Sequence, residues 1–169
     1  MQILDLLRGT FEVISVVRDV EIVEELSKEQ GKNFRTDALQ VSEKIMREDK
    51  MWVEEGQTIT LTKEEGKEGG TVWMINCPQG GKMNMILNRF EGCDWMGDTI
   101  LEEGFFEEGG LWKEIWFKIK GKEVWSKGWE FVILLDTDKA LVWKYKWFVS
   151  TGECEGASTQ VVRTRRVEG

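Results

Sequence analysis

From about residue 57 onward the chain repeats one pattern. Thr58 to Thr62, Thr71 to Asn76, Met83 to Phe90, Leu111 to Lys120, Trp129 to Leu135, Ala140 to Val149 and Ser158 to Val167 are short runs in which apolar and polar residues alternate. Turns rich in Gly, Asn and acids separate them. Successive side chains of an extended strand point to opposite faces, so a period of two marks strands with one buried face, and a series of them marks an antiparallel meander. The number of segments predicts an up-and-down antiparallel barrel of about eight to nine strands. The interior of such a barrel either fills with its own side chains or holds one small ligand.

The first 50 residues read differently. Residues 1 to 8 predict a short helix ended by Gly9, and Thr10 to Val17 a first β-branched strand. Asp19 to Gln30 has helical spacing stopped by Gly31. A second helix, capped by Thr36 or Asp37, shows Leu39, Val41, Ile45 and Met46 on one side. The expected fold is mainly β, with a helical insertion over about 19–50 after the first strand. That insertion is the most charged part of the chain and a candidate lid. No Pro-rich linker, repeat or low-complexity segment divides the sequence, so residues 1–169 predict one domain. A chain this long buries roughly 70% of its unfolded surface and needs no disulfide or metal staple.

Composition removes several function classes. There is no histidine, which excludes His-dependent triads, His-ligated zinc and His general bases. The net charge of −8 opposes nucleic acid binding, and the one basic cluster, Arg163, Arg165 and Arg166, is too small to reverse it. Cys77, Cys93 and Cys154 are odd in number and widely spaced, which suits reduced thiols better than a disulfide framework. No apolar run approaches the roughly 20 residues of a membrane-spanning helix. The N-terminus lacks the pattern of a signal peptide, so a cytoplasmic or organelle-interior protein is expected, the latter after removal of a transit peptide. No metal or cofactor site is expected.

Nine Trp against one Tyr is the unusual count, because each Trp brings a large apolar area and one donor that needs an acceptor. Alternation from Ala140 to Val149 places Leu141, Trp143, Tyr145, Trp147 and Val149 on one face and Val142, Lys144, Lys146 and Phe148 on the other. The aromatic face is expected inside. Trp112 and Trp116 share a face with Glu114 and Lys118, opposite Leu111, Ile115, Phe117 and Ile119. Both sides of that strand are thus partly apolar, and one is either covered or an interface. Met83 and Met85 are expected inside, where Met adapts to an imprecise apolar ligand. If Val161 points inward, so do Arg163 and Arg165, and two buried cations require anionic partners. Phe105 and Phe106, set among acids and glycines from Glu102 to Gly110, are expected on a loop that plugs or gates one end.

Three places resemble the lipocalin and wider calycin barrels. Gly9-Thr10-Phe11 is similar to their Gly-x-Trp motif, with Phe in place of Trp. Asp136-Thr137-Asp138-Lys139 resembles their Thr-Asp-Tyr motif, with Lys139 in place of Tyr. Arg163 or Arg165 fits the arginine of their last strand, and the pair is similar to the Arg-x-Tyr pair of fatty-acid-binding proteins, with Arg165 in place of Tyr. Phe131 to Arg166 also resembles the closing strands of violaxanthin de-epoxidase-type lipocalin domains, whose cysteine-rich flank is missing here. The resemblance implies a binding barrel for a fatty acid, retinoid, carotenoid or tetrapyrrole.

Together these readings predict a binding protein for a small hydrophobic or amphipathic molecule. Trp143, Tyr145, Trp147, Met83 and Met85 would line its interior and Arg163 or Arg165 would receive an acidic end. One alternative is a lipid- or pigment-modifying enzyme on the same barrel, although no catalytic residue stands out: Asp19, Glu21, Asp94 and Asp98 read as solvated surface, and Cys77 and Cys93 lack a His partner. The other is an assembly subunit that meets a protein partner, or a second copy of itself, through its Trp-bearing strands.

Overall fold

The computed structural model describes residues 8–23, 27–65, 71–86, 90–93, 98–106, 110–118, 125–136, 140–151 and 154–167. The elements are β1 (Gly9–Ile22), α1 (Lys28–Glu48), β2 (Thr58–Glu65), β3 (Thr71–Asn76), β4 (Lys82–Ile86), β5 (Phe90–Cys93), β6 (Asp98–Phe106), β7 (Gly110–Lys118), β8 (Trp125–Leu135), β9 (Leu141–Thr151) and β10 (Cys154–Arg166). All ten strands form one antiparallel sheet in the order β4-β3-β2-β1-β10-β9-β8-β7-β6-β5. Every pair but one consists of sequence neighbours. The exception is β1 with β10, which joins the two halves of the meander along the longest ladder, from Phe11 opposite Arg166 to Ile22 opposite Gly156.

The sheet is open, and the predicted barrel is not formed. Strands β4 and β5 are its two edges, and no ladder joins them among the described residues. Both are short, at five and four residues, so each offers few backbone groups for closure. The lipocalin and calycin reading, which depends on a closed barrel, is therefore not supported, and neither is a ligand held inside one. The sheet instead folds over and fills itself. Ile59, Leu61, Ile75 and Met83 from β2–β4 share one buried cluster with Phe131, Ile133, Leu141, Trp143 and Tyr145 from β8 and β9, and with Phe11, Val13 and Val162.

The insertion after β1 is one helix. Strand β1 continues through Asp19 to Ile22, where helix was expected. Helix α1 starts at Ser27, whose hydroxyl accepts from the Gln30 backbone N–H at 3.2 Å, and runs through Gly31 without stopping. Its buried residues, Phe34, Ala38, Ser42 and Met46, recur every four positions and form a stripe against β1, β9 and β10. Close approach near the start of the helix needs Gly156: a Cβ there would meet the Glu21 carbonyl and sit 2.7 Å from Phe34 Cε1. Beyond the helix, the Gly81 N–H donates to the Lys50 carbonyl at 3.0 Å, tying the Cys77–Gly81 turn to the end of the insertion.

One further expectation changes. Phe105 and Phe106 belong to β6, opposite Leu111 and Gly110 of β7, so they stand on a strand and not on a plugging loop. The short helix over residues 1–8 and the Gly121-Lys122 hairpin lie outside the described residues.

Candidate functional site

Register sorts every side chain of the central strands to one of two surfaces. Trp143 opposes Ile133 and Val162, and Tyr145 opposes Phe131 and Gln160. Together with Trp129 and Trp147 they form the inner aromatic group. Trp129 stacks on Tyr145 with centroids 5.9 Å apart, and Phe131 meets Trp143 edge-on at 5.4 Å. Burial raises the Tyr145 phenol above its usual range, helped by the charge of Asp49, so the ring stays neutral. Burial likewise pushes the Cys77 thiol up to about 12, which makes it a poor nucleophile. Met83 is buried in the same core. Met85 pairs with Trp73 across β3 and β4.

The arginines are arranged otherwise than the sequence suggested. Ser158, Gln160, Val162 and Thr164 face inward and are buried, so Val161, Arg163 and Arg165 face outward. Arg163 and Arg165 are exposed, and Arg165 pairs with Glu12 at 2.8 Å. No interior anion site is built from them. Adjacent Val161 and Val162 left the parity of β10 open, and its inward face carries polar Ser158, Gln160 and Thr164, which mimic a solvent face.

The cation that does go under the helix is Arg18. Its Nε donates to Gln160 Oε1 at 2.9 Å, its Nη2 donates to the Val53 carbonyl at 2.7 Å, and its Cζ lies 3.7 Å from the Trp52 ring centroid. Desolvation lowers its pKa from the usual value, and the nearby Glu54 and Glu43 act against that. Arg47 covers the same indole at 4.4 Å. A cavity of about 10 Å³ between α1 and the sheet is lined by Arg18, Ser42, Met46, Tyr145, Trp147 and Gln160, among others. Sequence reading missed this cluster because Arg18 and Gln160 lie 142 positions apart and neither carries a motif.

The outer surface has its own order. Across β1, β10, β9, β8 and β7, the partners Val17, Val161, Lys144, Val132 and Trp112 lie in one transverse row. The next row holds Ser15, Arg163, Val142 and Leu134. A bulge between Val13 and Ser15 pushes Ile14 outward, where it is 45% exposed, and Val17 is 58% exposed. Four acids on this surface are already engaged: Glu12 with Arg165, Glu21 with Lys146 at 2.6 Å, and Glu114 and Glu130 with Lys127 at 3.0 and 3.1 Å. Burial works to lower the Lys127 pKa, but hydrogen bonds to both carboxylates outweigh it and hold the ammonium above its ordinary value. Lys144 and Arg163 have no ion-pair partner among the described residues.

Among the described residues no group of acids and cysteines is placed to hold a metal ion, and no helix is long and apolar enough to cross a membrane. A scan against protein-family models finds no match, and a search of curated proteins finds none.

Proposed function

We propose that this protein is an interaction module, and that the outer face of β7–β10 and β1 binds another protein through an apolar patch of its own with an acidic rim. One observation carries the reading. The row Val17, Val161, Lys144, Val132 and Trp112, with Ile14, Leu134 and Arg163 beside it, is mostly apolar and holds in its middle two cations with no ion-pair partner among the described residues, on a chain of net charge −8. Apolar contact supplies affinity, with Trp112 the natural anchor, and Lys144 and Arg163 select an acidic rim. A second copy fits poorly. Two-fold pairing of this face brings Lys144 and Arg163 toward their own counterparts, and like charges repel. An anionic bilayer gains only about 1 kcal/mol for each of the two cations, and the acidic remainder of the chain opposes approach.

Panning a displayed random-peptide library on the purified protein tests this. Enriched peptides are expected to combine Asp or Glu with bulky apolar residues and to weaken as salt rises. They should lose at least about tenfold affinity for the Lys144→Glu/Arg163→Glu variant, as expected for paired interfacial charges. Peptides that bind both proteins equally, a concentration-dependent dimer, or preferential binding to phosphatidylserine vesicles would each overturn it.

A further inference from the structure

Beneath α1 the chain gathers hydrogen-bond donors that have no acceptor. Gln160 is 4% exposed. Its amide orientation is fixed by chemistry, because Arg18 can only donate and therefore faces Oε1 at 2.9 Å. That turns Nε2 away, and Nε2 has no partner among the described residues; the buried Trp147 Nε1 has none there either. Both side chains line the same cavity of about 10 Å³, beside Arg18, Tyr145 and the hydrogen-bonded Ser42–Ser158 hydroxyl pair. Buried donors without acceptors are costly, and most are satisfied in folded proteins.

The charge around the cavity is mixed, with Arg18 the cation nearest the two donors. Among the described residues Arg18 bonds directly only to neutral oxygens, Gln160 Oε1 and the Val53 carbonyl. Two carboxylates act on its charge without a direct hydrogen bond to it among the described residues: Glu54, which accepts from Trp52 Nε1 at 3.2 Å, and Glu43, which pairs with Arg47 at 3.1 Å. Asp49 acts on Tyr145 from the helix end. The space suits a single atom the size of a water oxygen or a halide.

We propose that the cavity between α1 and the sheet is a monatomic-anion site, in which a chloride-sized ion accepts from Trp147 Nε1 and Gln160 Nε2 beside the Arg18 guanidinium. An acceptor-only ion satisfies both donors and offsets the half-buried charge of Arg18, whereas water adds two protons that also need acceptors. The ion ties β1, β9 and β10 together beneath the helix.

The test compares chloride, bromide and gluconate salts at constant ionic strength. The melting temperature is expected to rise with halide, by roughly 5–10 °C at a hundredfold excess over Kd, and to stay flat in gluconate. Crystals grown in bromide should show an anomalous peak within hydrogen-bond reach of Trp147 Nε1. Gln160→Glu places a fixed carboxylate beside Arg18 and should abolish the halide dependence without lowering the melting temperature in gluconate. Trp147→Phe, a milder change, should weaken the halide effect at least threefold. A melting temperature indifferent to halide, which is the behaviour of a bound water, overturns the proposal. So does a halide effect that survives unchanged in whichever of the two variants folds.

Discussion

The two surfaces of β8, β9, β10 and β1 differ in what their polar groups do. On the inner face, polar atoms are consumed by structure. Thr164 Oγ1 donates to the Leu141 carbonyl at 2.7 Å and accepts from its N–H at 3.1 Å, and Ser158 meets Ser42 at 2.8 Å. On the outer face, acids are neutralised in pairs while Lys144 and Arg163 remain over an apolar row. One strand makes both surfaces, with a change of side at every residue. A face that holds the fold together has little freedom to bind anything else, and a face that leaves some of its charges out of such pairs has more.

Several substitutions can break or sharpen this contrast. The largest effect is expected at Trp143, which is 1% exposed at the centre of the aromatic group. Trp143→Ala should cost about 3–5 kcal/mol in urea unfolding, and a loss near zero would show that the inner face is not the core. Gly156→Ala should come next, because the added Cβ collides with the Glu21 backbone and Phe34. We expect a loss of about 1–3 kcal/mol, typical of overpacking, with amide exchange rising first in α1. Raising the pH acts on the inner face through two buried groups. The Cys77 thiol titrates at about 12 when folded against a reference of 9.0, and burial raises Tyr145 in the same direction. Neutral forms are favoured by folding, so stability is full below about pH 9 and declines between 9 and 12. A melting temperature that rises over that window would reverse the sign. The smallest effect belongs to the outer pair Arg165–Glu12: Arg165→Ala should change stability by less than about 1 kcal/mol, as exposed ion pairs do.

Much of this was legible in residue order. The alternation of Trp143, Tyr145 and Trp147 with Lys144 and Lys146 sorts β9 correctly, because lysine at every second place leaves one choice of inside. On β10 the same rule failed, since Val161 and Val162 are adjacent and the buried partners are polar. Closure was not legible at all. It depends on whether β4 and β5 pair, a relation between short edges that no local pattern encodes. Helix α1 was read as two because Gly31 looks like a stop. In the structure the N-cap at Ser27 and the stripe from Phe34 to Met46 outweigh the roughly 1 kcal/mol that one helical glycine costs. The Arg18–Gln160 cluster needed the β1–β10 ladder before its members could be neighbours.

The adjacent residues Val161 and Val162 test the account most directly, because one faces out and the other in. Val161→Asp and Val162→Asp can be compared by thermal unfolding and by binding of a peptide enriched on the wild-type protein. We expect Val161→Asp to fold with a melting temperature close to wild type and to lose peptide binding. We expect Val162→Asp, which buries a carboxylate at a position 0% exposed, to unfold or to melt far lower. Equal destabilisation by both variants, or a Val161→Asp protein that binds the peptide as wild type does, would contradict the division of the sheet into a structural face and a binding face.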